Sequence, residues 1–487
     1  MFKSINFQSY KTIVFVGLFF RLLAAIFSEG YGMHDDHFLT IEASASWANH
    51  YDYNNWLPWT NGNRGVPEGH SFTYVGLNYL FFAFFKFFGL NNPSVLMIFN
   101  RIIHAFISIL VVFFGIKITE KLSNRSNAIK VGWLLSLLWL MPFMSVRNLV
   151  EMVSIPFLMW GVWKLVDVKK FKSYLIGGIL IGVAISFRYQ IAVFSFGVAF
   201  FYLMTKNWKA FLSFSLGNVI TFSLTQGVVD YFIWGYPFAE FIGYATYNMK
   251  EGTKYLPNSN YFMYFYVLFG VLLFPFGLLA GIGFFRSIRK YFFLFLPTMV
   301  FILFHTFYPN RQERFILSIL PFFIILAVLG IEQLRSNAFF DRVWKFSWKA
   351  FWILNIPLLL FFTFTSTKYS RVEAMYSLYP TKKSNPAILM EGSGDASISM
   401  MPKFYANKWH ASFSEKTVKD IDSMHIPKYD YIFFVGNGDL YNRVNYYKRY
   451  YPSLHLFKKC QPSVIDRVVH SINPRNVNEY IEIWAVK

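Results

Sequence analysis

Several groups of ionisable residues sit at the ends of long apolar runs, with types and spacings suited to chemistry on a phosphate-linked group. After the first run comes His34-Asp35-Asp36-His37-Phe38, followed by Glu42. Adjacent carboxylates flanked by imidazoles suit a general base, a metal-ligand set or a hydrogen-bonding platform for a sugar. Trp56, Trp59, Arg64, Glu68 and His70 follow in the same loop. They offer aromatic faces and charges to a sugar, and read equally well as an interfacial belt. Arg147 and Glu151 stand four apart, so that on a helix they would share a face. Arg188-Tyr189-Gln190 separates two apolar runs with almost no loop. Ionisable groups at the edge of hydrocarbon are costly and mark functional candidates, the alternative being arginines that snorkel to the interface. The densest group runs from His305 through Tyr308, Asn310, Arg311, Gln312, Glu313 and Arg314 to Phe315. Two arginines around Gln-Glu suit bidentate hydrogen bonds to phosphate or pyrophosphate. A carboxylate that takes a proton from an acceptor hydroxyl, and arginines that stabilise a departing phosphate, are what group transfer from a lipid phosphate requires.

The elements that carry these residues follow from composition. Of 487 residues, 55% are hydrophobic, 22% aromatic and 15% charged. Soluble chains average about 25% charged residues, so an ordinary soluble enzyme and a disordered chain are both excluded. The net charge of +20 lies largely between apolar runs. Anionic lipid headgroups and the positive-inside rule account for it there, so no nucleic-acid partner is expected. Cys460 is the single cysteine, which rules out an internal disulfide.

The first apolar run, roughly Thr12 to Phe27, lacks a small-residue cleavage site before Glu29 and reads as a retained span. Further runs occur at roughly 94–116, 131–146, 152–167, 173–187, 190–205, 209–234, 261–285, 291–308, 314–331 and 347–366, with another at 72–90. Five basic connectors decide how to count them: Lys117/Lys121/Arg125/Lys130, Lys164/Lys169/Lys170/Lys172, Lys206/Lys209, Arg286/Arg289/Lys290 and Arg335/Arg342/Lys345/Lys349. With 72–90 as a non-spanning juxtamembrane segment, all five fall on the cytoplasmic side with Lys3 and Lys11; with 72–90 spanning, all five flip outward. About eleven transmembrane helices are therefore predicted, with juxtamembrane helices in the first outer loop, 29–90. The loop 29–71, the turns at Arg147–Glu151, Arg188–Gln190 and His305–Arg314, the loop 235–260 and everything after about 367 then share the outer face.

From about Ser366 the composition becomes that of a soluble domain. β-rich pieces at Ala387–Glu391, Tyr431–Val435 and Ile481–Val486 alternate with Gly-, Asn- and Pro-containing turns. The predicted organisation is a polytopic α-helical membrane domain, 1–366, followed by a small extracytoplasmic α/β domain, 367–487.

Three motifs in order resemble the GT-C glycosyltransferases, specifically the glycosylphosphatidylinositol and N-glycan α-mannosyltransferases of glycosyltransferase family 22, in a pattern covering roughly 10–365. The family's His-Pro-Asp-Glu-x-Phe-Gln-x-x-Glu stretch resembles Met33-His34-Asp35-Asp36-His37-Phe38-Leu39-Thr40-Ile41-Glu42. In that register Asp35 replaces the family Asp, Asp36 its Glu and Glu42 the later Glu. A shift by one makes Asp36 the family Asp, at the loss of Phe38 and Glu42. The family's Arg-Thr-Leu resembles Arg147-Asn148-Leu149. Its His-Lys-Glu-x-Arg-Phe-x-x-Pro-x-x-Pro run is similar to Asn310-Arg311-Gln312-Glu313-Arg314-Phe315, ending at Pro321. Asn310 stands for the family His, Arg311 for Lys, Gln312 for Glu and Ser318 for the first Pro, and His305 is out of register.

The resemblance implies an inverting enzyme, usually metal-independent, that uses a polyprenyl-phosphate sugar, most often mannose, on the extracytoplasmic face. Asp35 or Asp36 would be the base. Arg311, Arg314 and Arg147 would hold the donor phosphate, and His34, Glu42, Arg64, Glu151, Arg188, Gln190, His305 and Glu313 would line the pocket. The expected partners are the donor lipid, a glycan or glycolipid acceptor and the bilayer. No cofactor is expected, with a divalent metal at Asp35/Asp36/His37 as the alternative. A flippase or transporter would carry its charges at mid-membrane depth or on paired broken helices. A lipid-linked oligosaccharide ligase would carry its large loop between late spans. The polar residues here gather at outer ends, which favours the transferase. Trp484-Ala-Val-Lys487 carries no retrieval signal and the connectors are rich in Lys, Ile and Asn. Both features point to a bacterial inner membrane, with the endoplasmic reticulum as the eukaryotic counterpart.

Overall fold

A computed structural model describes residues 6–31, 36–60, 67, 69–168, 170–250, 261–392, 400–417, 428–472 and 479–486. The chain divides into two units. The first comprises Met1–Ile26, Asn55–Leu77 and Arg101–Phe364; the second comprises Phe27–Asn54, Asn78–Asn100 and Thr365–Lys487.

The first unit is helical because a backbone in hydrocarbon has to satisfy its N–H and C=O groups within its own segment. Among the described residues five helices are long and apolar enough to cross a membrane: Tyr10–Phe27, Pro93–Leu122, Trp208–Trp234, Glu313–Leu334 and Ala338–Thr363. The pair Met263–Val271 and Phe276–Arg286, bent by 117°, makes a sixth if counted as one span. Shorter apolar helices lie at Phe72–Phe87, Phe171–Phe187, Ile191–Met204 and Phe292–Phe307. The run 261–285, predicted as one span, is thus two helices. Leu273 has a φ of 59° and Pro275 lacks an N–H, so the helical ladder stops there. The predicted shared helix face of Arg147 and Glu151 is also corrected. The chain leaves the short helix Met141–Ser145 and re-enters helix only at Val150–Leu165, with Leu149 extended between them.

Glycine lets the helices meet backbone to backbone. A Cβ on Gly330 would stand 1.7 Å from the Gly283 carbonyl oxygen, so only glycine fits where Phe276–Arg286 crosses Leu320–Leu334. Arg21, fully buried in Tyr10–Phe27, donates from Nη1 to the carbonyls of Gly17 at 3.0 Å and Ser136 at 3.1 Å, and from Nη2 to that of Leu135 at 3.1 Å. Two of these carbonyls end the helix Arg125–Leu137, so the guanidinium lies at the negative end of its dipole. Lys121 Nζ donates to the carbonyls of Trp163 at 3.0 Å and Val166 at 3.3 Å, and Lys130 pairs with Glu332 at 3.0 Å. Three of the basic connectors therefore meet at one end.

A separate buried network fixes the approach to Phe72–Phe87. The Glu240 carboxylate accepts the N–H groups of Gly69 at 2.7 Å and His70 at 2.9 Å. Asp230 accepts the Glu240 N–H at 2.9 Å and the Gln226 amide at 2.7 Å. Gly69, at φ +85°, passes so close that a Cβ would stand 2.7 Å from Tyr244 Cα.

In the second unit Ala387–Glu391 (β1), Ser412–Lys416 (β2), Tyr431–Val435 (β3), His455–Cys460 (β4) and Ile481–Ala485 (β5) form a mixed sheet in the order β2-β1-β3-β5-β4. β1 runs parallel to β2 and β3, and β5 antiparallel to β3 and β4. β3, and β1 up to Met390, carry apolar or aromatic residues throughout because both faces are covered. Ile388, Met390 and Phe433 face one core, which includes Tyr31, Phe38 and Phe404. Leu389, Ile432 and Phe434 face another, which includes Val444 and Tyr447. The first-loop segment is thus woven into this unit, and the Thr367 N–H donates to the Glu29 carbonyl at 3.0 Å. Buried Arg443 joins the ends of β1 and β3, donating to Glu391 Oε2 at 2.6 Å and to the Val435 carbonyl at 2.8 Å.

Burial pushes the Glu240 carboxyl up from its usual 4.5 to about 7, with Asp230 adding to the rise and the N–H donors of His70 and Gly69 opposing it. The folded chain therefore keeps a proton that the unfolded chain has released. This contribution to stability is present at acid pH and is lost as pH climbs from about 4.5 to about 7. Glu240→Gln, which keeps an acceptor and does not titrate, is expected to flatten the dependence of melting temperature on pH across that window in detergent-solubilised protein. An unchanged slope would remove Glu240 as its source.

Candidate functional site

His34, Asp35 and Arg64 lie outside the described residues. The other predicted site residues fall into two clusters, one in each unit.

In the first unit the centre is Glu151, in the first turn of Val150–Leu165 and fully buried. Its Oε1 stands 2.9 Å from Arg188 Nη1 and 3.6 Å from Arg314 Nε. Arg188 terminates the helix Phe171–Phe187, and Arg314 lies in the 3-10 turn Glu313–Ile319. Three positions read separately from the sequence thus converge. The Phe315 ring anchors them, with the Arg188 guanidinium 4.8 Å and the Arg314 guanidinium 5.9 Å from its centroid. Arg314 Nε also donates to Gln312 Oε1 at 2.8 Å. Among the described residues nothing hydrogen-bonds Glu151 Oε2 or the Nε and Nη2 of Arg188. A buried guanidinium with two unused donor atoms is suited to receive an anion.

His305 lies in the last turn of Phe292–Phe307 rather than in an outer turn, buried against Phe301 with ring centroids 4.1 Å apart. Its Nδ1 meets the Phe301 carbonyl at 2.9 Å, and its Nε2 has no hydrogen-bond partner among the described residues. The Phe315 and Tyr264 rings lie 6.0 and 6.3 Å away. Arg311 donates from Nε to the Tyr308 carbonyl at 3.1 Å and covers the Tyr261 ring at 4.4 Å. Glu313 is exposed, and Gln190 is hydrogen-bonded to Tyr244. Arg147 turns back over the Phe143 ring at 4.5 Å. Beside it, Asn148 Nδ2 donates to Tyr74 Oη at 3.0 Å, and Tyr74 Oη lies 2.6 Å from His104 Nε2. Neither Tyr74 nor His104 was singled out from the sequence. An imidazole inside an apolar run is the signal that marks His104.

In the second unit Asp36, partly exposed, immediately precedes a π-helical turn, His37–Glu42, without a side-chain capping hydrogen bond. His37 is stacked between Tyr31 at 4.5 Å and Tyr405 at 5.8 Å, and its Nε2 is 3.2 Å from Glu42 Oε1. Both Glu42 oxygens accept the Phe404 N–H at 3.1 Å, and Glu42 is fully buried. Its partners are protein groups, and it holds the turn that carries Asp36.

The fold is shared with solved membrane glycosyltransferases. ArnT from Cupriavidus metallidurans, crystallised bound to undecaprenyl phosphate, superposes with a TM-score of 0.61 at 12% identity, over 97% of this chain and 97% of its own. The oligosaccharyltransferase of Archaeoglobus fulgidus in its apo form gives 0.55 at 9% identity, over 83% of this chain and 64% of that one. Its complex with zinc and sulfate gives 0.52 at 11% identity, over 92% and 72%. No curated protein sequence matches the chain. The profile of the Alg9-like mannosyltransferase family matches residues 12–403. The chain belongs to that family and is an integral-membrane glycosyltransferase of the GT-C fold.

Proposed function

We propose that this protein transfers a sugar, by preference mannose, from a polyprenyl-phosphate donor to a hydroxyl of a glycan or glycolipid, with inversion, on the extracytoplasmic face. The observation that carries this reading is the Arg188–Glu151–Arg314 cluster, in which buried Arg188 keeps Nε and Nη2 without a hydrogen bond among the described residues. The undecaprenyl phosphate bound to ArnT adds support, as a lipid monophosphate held by a protein of the same fold.

In this reading the acceptor oxygen attacks the anomeric carbon from the side opposite the phosphate. The carbon–oxygen bond to the phosphate breaks, and its electron pair stays on the departing polyprenyl phosphate. The acceptor proton passes to Asp35, with Asp36 as the alternate base. Arg314 and Arg311 take up the charge on the phosphate, and Arg147 completes the donor site. Glu42 acts as a positioning residue for the first-loop turn. The reaction as written needs no cofactor.

Eleven spans, reached by adding Arg125–Leu137, Val150–Leu165 and the shorter apolar helices other than Phe72–Phe87, together with basic connectors in the cytoplasm, put the Arg188–Glu151–Arg314 end outside. The meeting of Lys121 with Val166 and of Lys130 with Glu332 at one end supports that orientation. The bacterial inner membrane is the proposed location. The proposed domains are the catalytic 1–366 and the extracytoplasmic 367–487.

Transfer from radiolabelled polyprenyl-phosphate mannose, in membranes supplied with an acceptor-rich extract, tests the proposal. Asp35→Asn or Asp36→Asn, whichever removes the base, is expected to lower turnover about 10²- to 10⁴-fold with the fold intact, and label transfer is expected to survive EDTA. Full activity in both variants would sink the base assignment, and unimpaired lipid-linked sugar translocation by the double variant would point to a flippase. Transfer only from a diphosphate-linked oligosaccharide would point to a ligase. At the phosphate site, Arg314→Lys is expected to regain little of what Arg314→Ala loses in donor affinity, since an ammonium cannot replace the planar fork. Equal activity of Lys and Arg there would argue against phosphate contact.

A further inference from the structure

A carboxylate inside an anion site demands explanation, because it opposes the ligand that the arginines attract. Glu151 is fully buried and shares one oxygen between Arg188 and Arg314, at 2.9 and 3.6 Å. Two guanidinium groups and one carboxylate give these three residues a single net positive charge, and with Arg311 and Arg147 also assigned to the donor phosphate, Glu151 makes the whole site one unit less positive. A sugar joined to a lipid through one phosphate is a phosphodiester with a single negative charge; a sugar joined through a diphosphate carries two. We propose that Glu151 is a specificity-determining residue that lowers the positive charge facing the donor by one unit and so favours a lipid monophosphate sugar over lipid diphosphate donors.

The proposal rests on the reading of this cluster as the donor-phosphate site, and it adds the means of discrimination. Glu151 penalises an anion in proportion to its charge, because Coulomb repulsion at close range in a buried site scales with the product of the charges. The arginines supply the attraction for either donor, so selectivity comes from the repulsive element. Glu151 Oε2 and the Nε and Nη2 of Arg188 lack hydrogen bonds to any described residue, so the pair meets at one edge and leaves donor atoms for the ligand.

The test uses the full chain in lipid nanodiscs and two synthetic probes, farnesyl-phosphate mannose and farnesyl-diphosphate mannose, which share sugar and lipid and differ by one charge. The readout is the ratio of their dissociation constants. Wild type is expected to favour the monophosphate. Glu151→Gln, which adds one positive charge, is expected to move the ratio about tenfold toward the diphosphate. Arg188→Gln is expected to move it the opposite way, and the double variant Glu151→Gln/Arg188→Gln to return it to the wild-type value. A structural role for Glu151 would change both affinities together and leave the ratio fixed. The same ratio in all four proteins overturns the proposal. Should Glu151→Gln fail to fold with its guanidinium groups unbalanced, Arg188→Gln and the double variant differ by the same one charge, and equal ratios in those two overturn it as well. Binding of both probes unchanged in Arg188→Gln and Arg314→Gln would instead overturn the donor-site reading, and the charge proposal with it.

Discussion

A charge taken out of water into a helical bundle has to be met by something inside it, and how completely it is met separates scaffold from site. Arg21 and Arg188 are both buried arginines of the membrane unit. Arg21 spends its two Nη groups on three carbonyls, two of them at a helix end, and locks the first helix against Arg125–Leu137. Arg188 meets Glu151 through Nη1 and leaves Nε and Nη2 unused among the described residues. Among the described residues Arg21 lacks a partner only at Nε and both its Nη groups close on backbone, whereas Arg188 has a whole Nη group and Nε open beside a carboxylate whose Oε2 is also open. That difference, more than the presence of charge, marks the Arg188 end of the bundle as the one built for a ligand.

Three interruptions of helical geometry bring the cluster together. The helix ending at Phe187 delivers Arg188, the extended Leu149 lets Val150–Leu165 begin with Glu151, and the 3-10 turn Glu313–Ile319 presents Arg314 and Phe315. Irregular backbone at membrane depth is tolerated where it lines a cavity or is buried in protein. The phenylalanine between the two guanidinium groups is part of the device, since its ring face attracts both cations while excluding water. The second unit uses a different method. Glu42 and His37 hold the first-loop turn through contacts to Phe404 and Tyr405, so Asp36 rides on a segment tied down by residues some 360 positions away.

Apolar runs and turn residues made the helices and the strands β1, β3 and β5 legible, because hydrophobic runs and Gly- or Asn-rich breaks are local signals. The break at Leu273–Pro275 was not legible from hydropathy, which stays high across it. Arg147 and Glu151 misled because spacing of four implies a shared face only if the helix is continuous, and here it is not. The partners of Glu42 and Glu151 depend on contacts distant in sequence, which no periodicity encodes. Arg21 and His104 are legible in principle, as ionisable residues inside apolar runs, but a single charge does not interrupt the hydropathy of the run around it.

The departure from the family's pattern at position 312 takes on a meaning beside Glu151. Where the family's run has Glu, this chain has Gln312, whose Oε1 accepts from Arg314 Nε at 2.8 Å. An amide orients the guanidinium as a carboxylate would, but leaves its charge in place. A glutamate here would add a second negative group beside Glu151 and would lower the positive charge facing the donor further. With glutamine, orientation and neutralisation fall to different residues: Gln312 aims Arg314 from its own turn, and Glu151 sets the charge from another helix. Because the two tasks are separable, the charge of the site can change without loss of its geometry.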